Sequence, residues 1–252
     1  MHILLVAATP FEIRPTMDGL PKSAGQPGQP GQSGQLGHLG QSGQPGHSVS
    51  TLITGIGSMA TTWSLMRQID RTPPDLIIQA GIAGCFSHRP PGEVFVISEE
   101  VPADLGVWEE GQFKSLFDLN LSGAHQFPFS NGRLINPYRR LMALTSLEPV
   151  RGMTVNEITT DPGRIRWHQQ NTAAVVESME GAGLHYVGLQ EKIPFLQLRA
   201  VSNDIGVRDK TKWDIRLAIG RLNEQVASLL EKLAGGDETL LIAAKDETLF
   251  AQ

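Results

Sequence analysis

Short, almost uninterrupted runs of apolar and β-branched residues recur along this chain and constrain its fold more than any other feature. Strands with one wet face alternate apolar and polar residues, whereas continuous apolar runs are typical of strands covered on both faces. The runs span residues 3–8, 49–55, 76–80, 94–98, 174–176 and 195–201. They predict the buried strands of a mainly parallel or mixed sheet.

Helical segments are predicted between several of these runs. Ser58 can serve as the N-cap of a helix over residues 59–70, because its side chain can accept a backbone hydrogen bond. Apolar residues recur in that helix at helical spacing, at Met59, Trp63, Met66 and Ile69. Further helices are predicted over residues 137–147, 181–190 and 213–233. Because strands and helices alternate, we expect an α/β fold, a single-domain α/β/α sandwich with a central mixed sheet.

Residues 25–48 carry glycine at every third position and are rich in glutamine. The period matches a collagen repeat, but few triplets have proline in the third place and the rest of the chain is globular in composition. A flexible coil of this length reaches roughly 25 Å and closes at small entropic cost. We therefore expect a disordered insertion at 25–48 within a domain of residues 1–234, followed by a C-terminal tail at 235–252.

The overall composition indicates a soluble globular protein without a nucleic-acid partner. Hydrophobic residues make up 40% of the chain, enough for a sizeable core, and the net charge is −5 with no basic cluster. No run approaches the ~18 apolar residues of a membrane span, and the N-terminal run lacks a signal peptide's basic flank. The single cysteine, Cys85, excludes an internal disulfide and suits a reducing cytoplasm. We expect neither a cofactor nor a metal.

Ligands in α/β sheets bind beyond the carboxyl ends of the strands, so the residues after each apolar run are the site candidates. The first run is followed by Glu12, which alone would be interpreted as a surface acid near a helix start. The second is followed by TGIGS, in which Gly57 could approach an anion or a ribose oxygen. The third ends in AGIAGC, where the small residues Ala83 and Gly84 permit close approach of a ligand or simply tight packing.

Two carboxylates, Glu177 and Glu180, follow the fifth run in the segment VESMEGAG. Residues of odd and even number in a strand point to opposite faces, so we expect only one of the two acids to face a pocket. Glu180 is nearer the helix start and is the better candidate. The sixth run leads into Ser202 and Asn203 and then into a charged segment, which alone is typical of a solvated loop.

Six motifs, in their order and spacing, resemble the nucleoside phosphorylase and nucleosidase superfamily that includes the methylthioadenosine/S-adenosylhomocysteine nucleosidases. They are VAATPFEI, TGIGSMA, PPDLIIQAGIAGCF, PGEVFVIS, VESMEGAG and PFLQLRAVSND. Within the superfamily, SMEGAG together with VSNDIGVRDKTKW is most similar to the futalosine hydrolases of menaquinone biosynthesis. The resemblance covers nearly the whole chain except the glycine-glutamine segment and the tail. It implies hydrolysis of the N-glycosidic bond of futalosine to hypoxanthine and dehypoxanthine futalosine.

The resemblance also implies roles for individual residues. Glu12 matches the acid that positions and deprotonates the attacking water, and Asn203 matches a catalytic position at the base. Glu180 matches the acid that accepts hydrogen bonds from the 2′ and 3′ hydroxyls, and Met179 matches the residue that packs against the sugar. Further substrate-binding positions are Gly57, Ala83, Gly84 and Ser202. Glu177 has no counterpart, and we assign it to structure or a subunit contact.

One departure from the family pattern concerns the purine. Nucleosidases that act on adenine carry an Asp that protonates N7, whereas this chain has Asn203 at that position. An amide cannot deliver a proton, but it can donate to N7 or O6 and accept from N1, which favours a 6-oxopurine. Asp204 could replace the missing acid, but on an extended strand it faces away from Asn203.

A second departure is the loop TVNEITTD, which offers no aromatic residue to stack on the base. Futalosine carries a carboxylate on its 5′ substituent, so a cation would help to bind it, and Arg208 and Lys210 are the candidates. The same charges could simply solvate the loop. Relatives are commonly homo-oligomers, so we expect a homo-oligomer that takes a small nucleoside and water as substrates.

Other functions remain open at this point. A nucleosidase for aminodeoxyfutalosine or for methylthioadenosine/S-adenosylhomocysteine would share these motifs. A purine nucleoside phosphorylase would need a basic phosphate site, but Glu12 would repel phosphate, and only Arg14 lies close in the sequence. A nucleoside-binding scaffold without catalytic activity is the alternative from another class.

Overall fold

A mixed sheet of nine strands forms the centre of the fold in the computed structural model, which describes residues 1–20, 33–39, 47–86 and 89–235. The strands of the described chain are β1 (His2–Ala7), β2 (Ser33–Leu39), β3 (His47–Ile53), β4 (Leu76–Cys85), β5 (Val94–Pro102), β6 (Gly106–Glu109), β7 (Gln112–Ser115), β8 (Leu134–Ile135), β9 (Pro149–Thr154), β10 (Val176–Ser178) and β11 (Phe195–Asp204). Strands β6 and β7 form a separate hairpin.

The order of strands across the sheet is β10, β9, β5, β11, β4, β1, β3 and β2, and β8 pairs with β5. The central strand β4 runs parallel to β1 on one side and to β11 on the other. Strand β10 pairs both with β9 and, antiparallel, with β4. The strands β10, β9, β5, β11 and β4 therefore form a closed set, in which the first also pairs with the last. The sheet curls as a result, and β10 lies beside the carboxyl end of β4.

Helices cover the sheet. They are α1 (Pro10–Gly19), α2 (Ser58–Arg71), α3 (Arg139–Leu144), α4 (Pro162–Asn171), α5 (Gly181–Gln190) and α6 (Ile215–Gly235), with a short 3-10 helix at Lys210–Lys212. Helix α1 packs on α6 and α2 on α5, while α5 and α6 also contact the strands. The central strands are buried on both faces, as at Leu4, Leu5, Ile77 and Ile78. The predicted α/β sandwich with a mixed sheet is therefore confirmed.

The predicted strands and helices are present, with differences at α2 and α3. Helix α2 begins at Ser58 itself and its N-cap is Gly57, whose φ of 95° is readily adopted only by glycine, so the prediction of Ser58 as N-cap is wrong. Helix α3 is shorter than the predicted 137–147. Helix α4 and the strands β6 to β9 were not predicted from the sequence.

The apolar stripe predicted on α2 is mostly exposed. Met59 is 85% exposed and Trp63 59%, and only Ile69 of the stripe is buried. The buried face combines the polar residues Thr61, Ser64 and Gln68 with Leu65 and Ile69, and α2 lies very close to α5. A Cβ added at Gly183 of α5 would be 3.0 Å from the backbone oxygen of Ser58.

The prediction of a disordered insertion at 25–48 is wrong for part of that segment. Strand β2 pairs antiparallel with β3, and residues 47 and 48 already belong to β3. Without β2, strand β3 would be the edge of the sheet, with unpaired backbone N–H and C=O groups. Residues 33–39 can pair with these groups although they lack an apolar pattern, because the hydrogen bonds involve only the backbone. Residues 25–32 and 40–46 lie outside the described residues, as do residues 236–252 of the predicted tail.

Candidate active site

Glu12 is held in the first turn of α1, immediately after β1. Its Oε2 accepts hydrogen bonds from the backbone N–H and the hydroxyl of Thr9, both at 3.0 Å, and its Oε1 accepts from the N–H of Ile82 at 3.2 Å. The carboxyl group is buried, and this burial raises its pKa, an effect that the charge of Arg199 partly offsets. A fixed carboxylate with a raised pKa is suited to accept a proton.

Arg199 is a fully buried cation in β11 that joins several parts of the site. Its Nη2 lies 3.3 Å from Oε2 of Glu180 and donates to Oε1 of Gln79 at 3.0 Å. The guanidinium occupies the space beside Gly81 of β4, where an added Cβ would overlap Nη1 and lie 3.0 Å from Oε1 of Glu12. The absence of a side chain at Gly81 therefore lets the cation lie near both acids.

Glu180 is the N-cap residue of α5, and its backbone is no longer extended, with φ −121° and ψ −23°. Its Oε1 accepts a hydrogen bond from the N–H of Gly57 at 3.1 Å. Gly57 thus contacts Glu180, whereas the sequence predicted that it binds substrate directly. Together, Gly57 and Arg199 fix both carboxylate oxygens of Glu180.

Asn203 lies at the carboxyl end of β11, where the strand register shifts between Val201 and Asn203. This bulge lets the consecutive residues Ser202 and Asn203 line one cavity. The hydroxyl of Ser202 lies 2.8 Å from Oδ1 of Asn203, and Nδ2 of Asn203 donates to the backbone oxygen of Asp204 at 2.8 Å. The amide oxygen thus has a donor already, and one N–H of Nδ2 stays available.

These groups surround an open cavity of about 350 Å³ at the carboxyl ends of β1, β4 and β11. Eight of the ten residues predicted to form the site line it, namely Glu12, Ala83, Gly84, Met179, Glu180, Ser202, Asn203 and Arg208. Gly57 lies behind Glu180, and Lys210 is exposed on the 3-10 helix outside the cavity lining. The structure thus brings together residues from five separate segments of the chain.

The prediction that only one of the two acids near β10 faces a pocket is wrong. Glu177 and Glu180 both line the cavity. The alternation of an extended strand ends at Ser178, so it does not govern the direction of Glu180. Burial raises the pKa of Glu177, and hydrogen bonds from Thr159 lower it.

Apolar and aromatic residues missed by the sequence analysis complete the lining. Phe11 of α1, Ile158 of the loop after β9, and Trp213 all line the cavity. The indole N–H of Trp213 donates to the backbone oxygen of Val207 at 2.7 Å, and the Arg208 guanidinium lies 5.5 Å from the Trp213 ring centre. The loop TVNEITTD, which the resemblance places next to the base, therefore contributes the aliphatic side chain of Ile158. The aromatic rings at the cavity, Phe11 and Trp213, come from segments distant in the sequence.

Comparison with known protein families identifies the family of this chain. The model of the phosphorylase superfamily matches residues 2–234. The chain belongs to the phosphorylase superfamily. Its superfamily relatives include the futalosine hydrolase of Acidothermus cellulolyticus, 32% identical over 183 residues that cover 71% of this chain and 73% of the relative. The futalosine hydrolase of Thermus thermophilus is 31% identical over 189 residues, with 73% and 82% coverage. The predicted resemblance is confirmed.

Solved structures of the superfamily share the fold. A 5′-methylthioadenosine/S-adenosylhomocysteine nucleosidase from Colwellia psychrerythraea, in complex with adenine, superposes with a TM-score of 0.76 at 19% identity and covers 94% of this chain and 97% of its own. Futalosine hydrolase of Helicobacter pylori gives 0.73 at 16% identity, with 92% and 98% coverage. At these identities the similarity establishes the fold of this superfamily member.

Neither a metal-binding cluster nor a membrane-spanning helix is present among the described residues. They contain no group of three or more His, Cys, Asp or Glu side chains that could hold a metal ion. None of the helices in the described part of the chain has the length and apolarity needed to cross a membrane.

Proposed function

We propose that the protein hydrolyses the N-glycosidic bond of futalosine, releasing hypoxanthine and dehypoxanthine futalosine in menaquinone biosynthesis. The observation that carries the proposal is the pairing of Glu12 with Asn203 in one cavity. Glu12 is a base for water, and the amide of Asn203 suits a 6-oxopurine. The similarity to two futalosine hydrolases above 30% identity supports the same substrate. The catalytic domain of this proposal is residues 1–234.

Glu12 acts as the general base. The water oxygen attacks C1′ of the ribose while the C1′–N9 bond breaks, the bonding electrons leave with the purine, and the water proton passes to Glu12. Thr9 and the N–H of Ile82 hold the carboxylate in place for this transfer. Its negative charge also favours the positive charge that develops on the ribose ring.

Glu180 accepts hydrogen bonds from the ribose hydroxyls, and Met179 packs against the sugar. Because Gly57 and Arg199 already fix the Glu180 carboxylate, little rotational freedom is lost when the ribose binds. Asn203 donates its remaining N–H to N7 or O6 of the departing base. Solvent supplies the proton that completes hypoxanthine, since an amide cannot.

Arg208 is the cation that we assign to the carboxylate of the 5′ substituent, because it lines the cavity beside Trp213. Lys210 is outside that lining. We further propose that the enzyme is a cytoplasmic homo-oligomer. The exposed apolar side chains of Met59 and Trp63 on α2 support a subunit contact there.

The test is to incubate purified protein, in phosphate-free buffer, with futalosine, inosine, methylthioadenosine and aminodeoxyfutalosine and to follow free purine by chromatography. We expect hypoxanthine from futalosine. Adenine from methylthioadenosine alone would place the chain among the adenine nucleosidases, and strict dependence on added phosphate would make it a phosphorylase. No purine release from any of the substrates would favour the nucleoside-binding scaffold.

A further inference from the structure

Glu177 is a buried carboxyl group that the mechanism above leaves without a role. It is 7% exposed and lines the cavity. Its Oε1 accepts a hydrogen bond from the N–H of Thr159 at 3.2 Å, whereas its buried Oε2 has no hydrogen-bond partner among the described residues. A buried polar atom without a partner is costly, so its presence in a ligand cavity points to a contact that the ligand completes.

The register of the sheet places Glu177 level with Asn203. Gly84 of β4 pairs with Glu177 of β10 on one side and with Asn203 of β11 on the other. Neighbouring strands are about 4.8 Å apart, so the two residues flank Gly84 with backbones roughly 10 Å from each other. Gly84 carries no side chain, and an added Cβ there would lie 2.8 Å from Cγ1 of Ile205. The register thus puts a carboxylate and an amide on either side of Gly84, and all three residues line the cavity.

The hydrogen-bonding groups of Asn203 leave one part of hypoxanthine unrecognised. The base of a 6-oxopurine nucleoside has acceptors at N7 and O6 and a donor at N1–H. The free N–H of Asn203 can serve N7 or O6, but its Oδ1 already lies 2.8 Å from the hydroxyl of Ser202. That oxygen is already oriented by Ser202, whereas Oε2 of Glu177 has no partner among the described residues and is the acceptor in the same cavity that is free for N1–H.

We propose that Glu177 is a specificity-determining residue that accepts the N1–H of a 6-oxopurine and so selects hypoxanthine nucleosides over adenine nucleosides. Adenine has a lone pair at N1, which a carboxylate repels, whereas N1–H of hypoxanthine donates to it. The inference rests on the proposed nucleosidase function, and it assigns to Glu177 the selectivity of that site between hypoxanthine and adenine. The competing explanation is that Glu177 only anchors the loop that contains Thr159.

Glu177→Gln separates these explanations. Glutamine keeps an oxygen for the N–H of Thr159 and replaces Oε2 with an NH₂ donor, which opposes N1–H but can donate to N1 of adenine. The readout is kcat/KM for futalosine and for aminodeoxyfutalosine, which share the 5′ substituent and differ at C6 of the purine. Burial raises the pKa of Glu177, so the assays are run at pH 8, where ionisation of its carboxyl group is favoured.

We expect the variant to lose roughly 10- to 150-fold in kcat/KM for futalosine, the range for a hydrogen bond to a charged group, while aminodeoxyfutalosine is unchanged or improved. Equal losses for both substrates would mean a structural role and overturn the inference. The matched control is Glu157→Gln in the same loop, because that side chain is 81% exposed. In this control, the ratio of kcat/KM for futalosine to kcat/KM for aminodeoxyfutalosine should be the same as in the unmodified protein.

The inference and the proposed function fail in different ways. If the unmodified protein does not hydrolyse futalosine, the proposed function is wrong. If it does and Glu177→Gln leaves the ratio unchanged, only the role of Glu177 is wrong. Should the variant fail to fold, calorimetry with the unmodified protein compares hypoxanthine with 1-methylhypoxanthine, which lacks the N1–H donor. At least 10-fold weaker binding of the methylated base would support the inference, and equal affinity would overturn it.

Discussion

Arg199 Nη2 lies 3.3 Å from Glu180 Oε2, and both side chains are buried. The charge of the arginine also partly offsets the effect of burial on the pKa of Glu12. One cation thus keeps two acids of the candidate site compatible with burial, although it does not itself line the cavity. Buried charges are tolerated when they are paired and hydrogen-bonded, as here through Gln79.

Replacing this cation should destabilise the protein. We expect Arg199→Met to lower the free energy of unfolding by about 3–5 kcal/mol, because it leaves Glu180 buried without its partner. Urea denaturation followed by circular dichroism measures the change. A loss below about 1 kcal/mol would mean that the pair contributes little to the folded state.

Glu12→Gln tests the general base. The amide preserves the shape of the side chain but cannot take a proton, so kcat for purine release should fall by at least several hundredfold. KM should change little, whereas the melting temperature should fall, because the amide has one acceptor oxygen and its NH₂ group must face the donors of either Thr9 or Ile82. Unchanged kcat in the folded variant would exclude Glu12 as the general base.

Gly81→Ala tests the need for space beside Arg199. The added methyl group would overlap Arg199 Nη1 and crowd Glu12, so we expect a stability loss of about 1–3 kcal/mol and a fall in kcat. The control is Gly220→Ala in α6, where nothing lies within 4 Å of an added Cβ. That variant should be more stable by about 0.5–1 kcal/mol, since alanine is the better helix former. Equal effects of both substitutions would contradict the close approach at Gly81.

Asn203→Asp tests whether residue 203 selects between adenine and hypoxanthine as the departing purine. A carboxylic acid can protonate N7 of adenine, which the amide cannot, so the ratio of kcat/KM for aminodeoxyfutalosine to that for futalosine should rise by roughly 10-fold or more. Steady-state assays with both substrates measure this ratio. A ratio that stays constant would mean that the residue at this position does not select the base.

The buried carboxyl group of Glu100 should make the free energy of unfolding depend on pH. It is 1% exposed and accepts hydrogen bonds from Gln197 at 2.8 Å and Thr154 at 2.9 Å. Burial raises its pKa from 4.5 to about 7, so the folded state keeps a proton that the unfolded chain releases. Stability from this group therefore falls as pH rises from about 4.5 to about 7, by about 3 kcal/mol.

The measurement is urea unfolding at pH 5 and pH 8 for the unmodified protein and for Glu100→Gln. The variant cannot ionise at this position, so its stability should fall less between the two pH values. Glu12 and Glu177 titrate in both proteins, so the difference isolates Glu100. Identical pH dependence would mean that Glu100 is not protonated in the folded state.

Much of the fold follows from local sequence patterns. The six apolar runs form β1, β3, β4, β5, β10 and β11, and α5 occupies the predicted residues 181–190. Helix α4 was missed because its sequence, PGRIRWHQQN, is polar on most sides. Arg199 was not assigned a role in the site, because a charged residue inside an apolar run gives no local indication of its partners.

The sequence by itself determined the class of fold, the superfamily and most of the residues that meet at the cavity, since continuous apolar runs and short motifs are local features. Only the tertiary structure decided that Glu177 faces the same cavity as Asn203 and that Arg199 pairs with Glu180. The pairing of Gly84 with both Glu177 and Asn203 depends on the register of three strands that are distant in the chain. That register is set by packing of the whole sheet, which no local stretch of sequence encodes.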